Sequence, residues 1–254
     1  MIDLHCHLLP EVDDGPRTLE ESIAMARAAY QDGVRTVVVT PHALDWEQAH
    51  PGQDARQVLD EQVRSLEQAL HQADIPLSLV AGMEVHFDLD LEARLKDGRA
   101  RPLGQGPYVL VELPFLQYSL YLERVVFQLQ LQGWKPVLAH AERYVYFQEN
   151  PDLLAPLVER GVLVQVTVDC LLGETGPAAR ETAQRLLRRG LAHCLASDGH
   201  TAGGPRPPLL STGVQAAARI IGLQRARAMV TDVPEHILAG KPLDAPLEAA
   251  LLRP

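Results

Sequence analysis

Two pairs of residues in this chain are spaced for chelation. His5 and His7 stand two apart, and so do Asp198 and His200. On an extended strand such residues project to the same side, so each pair can grip an ion from one direction. Asp14, His42, Glu84, Glu112 and His140 add single carboxylates and imidazoles. Four carboxylates crowded into one place would repel one another unless cations sat among them. Nine ligands exceed the needs of one ion and suit two or three. Mixed nitrogen and oxygen ligation favours borderline divalent cations such as Mn, Fe, Co or Zn. Such centres activate water and polarise the group that it attacks.

Whether these residues meet depends on the elements that carry them. Apolar, β-rich runs occupy Ile2–Leu8, Arg35–Thr40, Leu77–Glu84, Tyr108–Glu112, Pro136–His140, Val162–Val166 and His193–Ser197. Several lack polar alternation, as strands covered on both faces do. Helical patterns lie between them at Leu19–Gln31, Ala55–Gln72, Leu120–Gln132, Leu153–Glu159 and Ala178–Arg189, with a weaker one at Asp88–Lys96. Thr18 and Glu21 form a capping-box start to the first helix, and Gly33 ends it. The alternation predicts a seven-stranded (β/α) barrel. From Ser211 a helical tail follows, broken near Gly222 and Pro234. All strand C-termini of a barrel open on one face. His5 and His7 end the first predicted strand, Glu84 the third, Glu112 the fourth and His140 the fifth. His42 follows the second, and Asp198 and His200 follow the seventh. The candidates therefore converge at one mouth. His50, His71, His86, His193 and His236 have no such placement and read as packing or surface residues.

Length and composition agree with this. The chain has 254 residues, 46% of them hydrophobic, enough for one barrel with a full core and a single domain over 1–254. No apolar run reaches the roughly 18 residues of a transmembrane helix. Met1 leads directly into the first strand, leaving no room for a signal peptide, so a cytoplasmic protein without membrane insertion is expected. A net charge of −10 makes nucleic acid a poor partner. A phosphate ester would need local positive charge, which metal ions supply. Cys6, Cys170 and Cys194 contain no C-x-x-C pair and read as small apolar side chains. A phosphocysteine mechanism needs arginine six residues after the cysteine, and those positions hold Val12, Gly176 and His200. A carbamylated bridging lysine is also unsupported, since Lys96, Lys135 and Lys241 do not end a predicted strand.

The chain resembles the polymerase-and-histidinol-phosphatase (PHP) family, and within it the manganese-dependent protein-tyrosine phosphatases of bacterial capsule and exopolysaccharide operons. The segments that carry the resemblance are Ile2-Asp3-Leu4-His5-Cys6-His7, Val12-Asp13-Asp14-Gly15-Pro16, Thr40-Pro41-His42, Gly82-Met83-Glu84, Val111-Glu112-Leu113, His140-Ala141-Glu142-Arg143-Tyr144 and Ser197-Asp198-Gly199-His200. The similarity runs in register from Met1 to about Leu243. It implies a distorted (β/α)7 barrel of the PHP type, with a short C-terminal helical tail and three metals. One ion would be held by His5, His7, Glu84 and Asp198. A second would share Glu84 as a bridge, with Glu112 and His140, and the third would take Asp14, His42 and His200. Arg143 and Arg206 would hold phosphate, although Arg206 stands six residues after His200 where the family pattern is one residue shorter. Val166-Thr167-Val168 departs from the usual Asn-Ser-Ser, and Val233 replaces an Asn in the closing motif Val233-Pro234-Glu235-His236-Ile237-Leu238.

The activity so implied is hydrolysis of phosphotyrosine on a protein, with a bacterial tyrosine kinase of polysaccharide synthesis as the partner. Mn is the implied metal, and a metal-bound hydroxide the nucleophile. Two rivals remain: a PHP phosphoesterase acting on histidinol phosphate or another small phosphate ester, and a non-catalytic, metal-stabilised binding module. Phe115, Tyr118 and Tyr121 follow the fourth strand, while Tyr144, Tyr146 and Phe147 follow the fifth. Near the mouth, one of them could stack on a phosphotyrosine ring. For Arg143 the alternative is a surface salt bridge with Glu142 or Glu149.

Overall fold

Short β-branched and aliphatic runs form eight strands in the computed structural model, which describes residues 1–243. They are β1 (Ile2–Cys6), β2 (Thr36–Val39), β3 (Ser78–Ala81), β4 (Glu84–His86), β5 (Tyr108–Glu112), β6 (Lys135–Leu138), β7 (Leu163–Thr167) and β8 (Cys194–Ala196). All pairings are parallel, in one sheet ordered β1-β2-β3 and another ordered β4-β5-β6-β7-β8. Two seams join the sheets. At one, the chain crosses from β3 to β4 through Gly82 and Met83, and His42 bridges to Glu84. At the other, Asp198 N donates to His5 O over 2.8 Å and His7 N donates to Gly199 O over 2.9 Å. The outcome is a distorted α/β barrel. Val37, Val38, Leu110, Val164 and Leu195 are wholly buried along its strands, which explains their lack of polar alternation.

One predicted strand is divided. Leu77–Glu84 breaks at Gly82 and Met83, so that its first part pairs with β2 and its continuation, β4, pairs with β5. The bend needs a residue without a side chain. A Cβ at Gly82 would lie 2.9 Å from Val38 Cγ1 and 3.0 Å from Leu103 Cδ2. Glu84 consequently begins a strand instead of ending one, yet the bend still delivers its carboxylate to the mouth.

The helices are α1 (Leu19–Asp32), α2 (Ala43–Ala49), α3 (Ala55–Gln72), α4 (Leu91–Asp97), α5 (Leu122–Leu131), α6 (Val145–Glu149), α7 (Ala155–Glu159), α8 (Val168–Leu172), α9 (Pro177–Arg188), α10 (Ser211–Ile221), α11 (Leu223–Ala228) and α12 (Asp232–Leu238). The helical patterns of the sequence correspond to α1, α3, α4, α5, α7 and α9. Short α2, α6 and α8 were not predicted. Each has at most seven residues, too few for an apolar periodicity to show. Thr18 Oγ1 accepts from Glu21 N at 3.3 Å, while Glu21 Oε2 accepts from Arg17 N at 2.6 Å, so the capping box is displaced by one residue on its return side. The tail breaks at Gly222 as predicted, but Pro234 sits in the first turn of α12, where a missing N–H costs no helical hydrogen bond. Residues 244–254 of the span expected as one domain lie outside the described residues. No described helix is long and apolar enough to cross a membrane.

Candidate metal centre

His5, in β1, and His7, just past it, are wholly buried, and their Nε2 atoms lie 3.1 Å apart. Glu84 Oε2 is 3.3 Å from His5 Nε2 and 3.4 Å from His7 Nε2. Asp198 Oδ1 approaches the same two nitrogens at 3.3 and 3.6 Å. Asp198 turns the chain after β8 with φ +53°, which aims its carboxylate back into the ring. Glu84 Oε1 lies 2.8 Å from His140 Nε2, and Glu112 Oε1 lies 3.5 Å from that nitrogen. Asp14 Oδ1 meets His200 Nε2 at 2.9 Å and His42 Nε2 at 3.4 Å. All nine candidates gather at the barrel mouth. His42 joins two of the groups, because its Nδ1 is also 3.0 Å from Glu84 Oε2, whereas the resemblance gives it to one ion. Asp14 is the outermost, with 58% of its side chain exposed.

Hydrogen bonds behind the rings decide which atoms face inward. Gln165 Oε1 accepts from His140 N at 2.9 Å, so this oxygen is an acceptor, and the His5 Nδ1 lying 3.2 Å from it must carry hydrogen. Asp13 Oδ2, 2.7 Å from His7 Nδ1, fixes His7 in the same way. His200 Nδ1 donates to Asp198 O at 2.8 Å. The Nε2 lone pairs of His5 and His7 therefore point at each other and at two carboxylate oxygens. Glu84 Oε2 is buried and makes no hydrogen bond of acceptable geometry, and His140 Nδ1 is likewise unpartnered. Converging lone pairs with an orphaned buried carboxylate oxygen are what a cation requires.

The titration behaviour agrees. Burial by itself lowers the His7 pKa, but its hydrogen bond to Asp13 and the nearby Glu84 carboxylate carry it up to about 9. Burial opposes protonation of His42 too, and Asp14 and Glu84 raise it to about 11. Glu84 is desolvated, yet the charge on His5, the hydrogen bond from His140 and the nearby His42 ring hold it well below the usual carboxylate range. Asp198, equally desolvated, is pulled down by His5 and Arg206. Without a cation the carboxylates draw protons onto His5, His7 and His42, while burial lowers the His200 pKa, and divalent ions would displace those protons.

Both predicted arginines reach this cluster. Arg143 ends a 3₁₀ turn, Ala141–Arg143, that starts from His140 in a left-handed conformation with φ +31°. Its Nη1 donates to Asp198 Oδ2 at 3.2 Å, and its Cζ lies 4.9 Å from the centre of the Phe115 ring. Glu142 is not its partner, being wholly buried and accepting from Thr167 N at 2.8 Å. Arg206 donates from Nη2 to Asp198 Oδ1 at 2.8 Å and from Nη1 to Asp14 Oδ2 at 3.5 Å. Its displaced spacing is absorbed by a shaped loop. Arg206 adopts φ +60°, donates from N to Asp169 Oδ2 at 2.9 Å and accepts from His200 N at 2.8 Å.

The aromatic residues divide differently from the expectation. Tyr144 is wholly buried, with its Oη accepting from Leu113 N at 2.9 Å, and Tyr146 and Phe147 pack against it. None of these three can stack on a substrate ring. Phe115 stacks on His140 at 5.5 Å, Tyr118 packs edge-on against Tyr146 at 5.4 Å, and Tyr121 is 54% exposed. Spacing alone does not single out Asp13, Gln165 or His86. Asp13 had a signal in the paired acids of Asp13-Asp14, and Gln165 had one as the lone amide in an apolar run. His86 follows Glu84 by two residues on β4, places Nδ1 3.7 Å from Glu112 Oε2, and lines a cavity of about 260 Å³ with His42, Glu84 and Glu112.

Parallel strands in a ring, with imidazoles and carboxylates gathered at their C-terminal ends, define the class of metal-dependent hydrolase barrels. Within that class, the chain belongs to the capsular polysaccharide synthesis family CpsB/CapC, whose model matches residues 1–239. It is 38% identical over 200 residues to the tyrosine-protein phosphatase YwqE of Bacillus subtilis, covering 79% of this chain and 77% of that one. It is 29% identical over 243 residues to the tyrosine-protein phosphatase CpsB of Streptococcus pneumoniae, covering 94% and 98% of the two chains. A crystal structure from work on YwqE and CpsB, described as metal-dependent tyrosine phosphatases, matches with a TM-score of 0.87 and 33% identity over 95% of each chain.

Proposed function

We propose that this chain is a metal-dependent phosphatase that hydrolyses phosphotyrosine on protein substrates. The observation that carries the proposal is the meeting of the His5 and His7 lone pairs with Glu84 Oε2 and Asp198 Oδ1, all buried, at the mouth of the barrel. The nine gathered side chains would hold two or three divalent ions, Mn first and Fe, Co or Zn as alternatives, with Glu84 bridging two of them. Bound there, the ions supply Lewis acidity toward phosphoryl oxygens and lower the pKa of an attacking water. Arg143 and Arg206 approach from different loops and donate to Asp198, from which their guanidinium groups can turn to oxygens of an arriving phosphate. Tyr121, exposed on the segment after β5, is the tyrosine that could meet an aromatic leaving group.

A protein substrate is favoured over histidinol phosphate or another small ester by the segment that follows β5. It starts at Phe115 against His140 and exposes Leu116 by 78% and Leu120 by 90%, apolar surface that a small phosphate ester would not use. In a family of capsular polysaccharide synthesis, the fitting partner is a bacterial tyrosine kinase of that process, met in the cytoplasm. The test is metal analysis of the purified protein combined with phosphotyrosyl peptide, histidinol phosphate and nucleotide substrates at equal concentration. Preferred turnover of the peptide, dependent on bound metal, is expected. Preferred turnover of a small ester would reassign the substrate, and no turnover with metals bound would make the chain a binding module.

A further inference from the structure

Gln165 and Asp13 do the same thing on opposite sides of the cluster. Gln165 is wholly buried in β7. Its Oε1 takes the His5 ring at 3.2 Å and the backbone N–H of His140 at 2.9 Å. Asp13 Oδ2 takes the His7 ring at 2.7 Å and the backbone N–H of His42 at 3.1 Å. In each case a single oxygen accepts from two candidate ligands that come from different strands. One contact fixes a ring tautomer, and the other fixes the seat of a second ligand. Neighbouring bonds hold both acceptors in place: Gln165 Nε2 donates to Thr167 Oγ1 at 3.1 Å, and Asp13 Oδ1 accepts from Gly15 N at 3.0 Å.

We propose that Gln165 and Asp13 are a matched pair of positioning residues that tie the metal positions to one another. Gln165 links the ion held by His5 to the ion held by His140, and Asp13 links the ion held by His7 to the ion held by His42. This rests on the metal-centre reading above and deepens it. An oxygen that serves two ligands makes their placements interdependent, so its loss weakens two positions together. The Asp14, His42 and His200 position has no contact with Gln165 and should be spared by changes there. Outer partners of metal-ligating histidines typically carry 10- to 100-fold in metal affinity.

The experiment compares full-length wild type, Gln165→Leu and Gln165→Glu. Leucine fills the volume without an acceptor, and glutamate keeps an acceptor oxygen at the same reach. Mn bound per chain and Mn affinity are measured by chelator competition, beside the melting temperature of the metal-free proteins and kcat/KM on a phosphotyrosyl peptide. Gln165→Leu should bind Mn about 10- to 100-fold more weakly, lose occupancy at more than one position and lose activity in parallel. Gln165→Glu should restore most of the binding. Wild-type Mn affinity in Gln165→Leu overturns the inference, and so do equal losses in both variants accompanied by a lower metal-free melting temperature. A wild type that binds no Mn and hydrolyses nothing overturns the function itself, an outcome distinct from a working wild type with indifferent variants.

Discussion

Replacing Arg143 by alanine separates phosphate binding from metal binding. Arg143 donates through Nη1 to Asp198 Oδ2 at 3.2 Å and rests on the Phe115 ring, so its guanidinium is already oriented over the cluster. A phosphate dianion has oxygens to spare beyond those on metal, and the fork can take two of them. Charge-assisted hydrogen bonds are worth roughly 1.5–3 kcal/mol each. Two near the middle of that range, less the Asp198 contact given up at the lower figure, leave about 3 kcal/mol, or about 10²-fold in kcat/KM. The assay is kcat/KM on a phosphotyrosyl peptide, with Mn content measured on the same preparation. Arg143→Ala should retain its metal and lose about 10²-fold, and Arg143→Lys should recover little, because one ammonium cannot reproduce the fork. Normal kinetics would refute the reasoning. Loss of metal along with activity would refute it differently, making Arg143 a support for Asp198.

Chelation should abolish phosphatase activity and Mn restore it, whereas iodoacetamide should leave it intact, since Cys6, Cys170 and Cys194 are buried and burial raises all three thiol pKa values; activity in a metal-free preparation would contradict this. Gly82→Ala would bring a Cβ to 2.9 Å from Val38, and should cost about 1–3 kcal/mol in urea unfolding and weaken Mn binding through Glu84. An alanine variant with wild-type stability would show that the bend relaxes freely. Burial lowers the His193 pKa from 6.5 to about 4, and its Nδ1 accepts from Val164 N at 3.1 Å. The unfolded chain takes that proton first, so stability is complete above about pH 6.5 and falls by about 3 kcal/mol on acidification to pH 4. In metal-free protein His193→Gln, which keeps an acceptor, should flatten this slope, and an unchanged slope would place the loss elsewhere.

Much of the candidate cluster was legible because ligand-type residues recur at or just past six strand ends at once. An imidazole or carboxylate closing an apolar run stands out, and the single-face geometry of a barrel converts such positions into neighbours. The bend at Gly82 and Met83 was not legible, because an apolar run reads as one strand whether or not it changes partner. Gln165 was hidden for a related reason. One amide in a buried strand has no period, and its value lies in two contacts, 25 and 160 residues distant along the chain. Tyr144 was misplaced because the hydrogen bond that buries it, from Leu113 N, is a tertiary contact with no local sign. Arg206 reached its expected partners despite its shifted spacing because a left-handed residue and the Asp169 carboxylate reshape the loop.

The seam between β8 and β1 has a consequence in time. His5 and His7 leave a ribosome almost two hundred residues ahead of Asp198 and His200. Asp198 supplies both the backbone donor that joins the two ends of the ring and a carboxylate for the first pair of histidines. A chain that stops short of the segment after β8 therefore lacks part of the candidate ligand set. On the metal-centre reading, tight metal uptake would mark a chain translated through β8 and the loop beyond it.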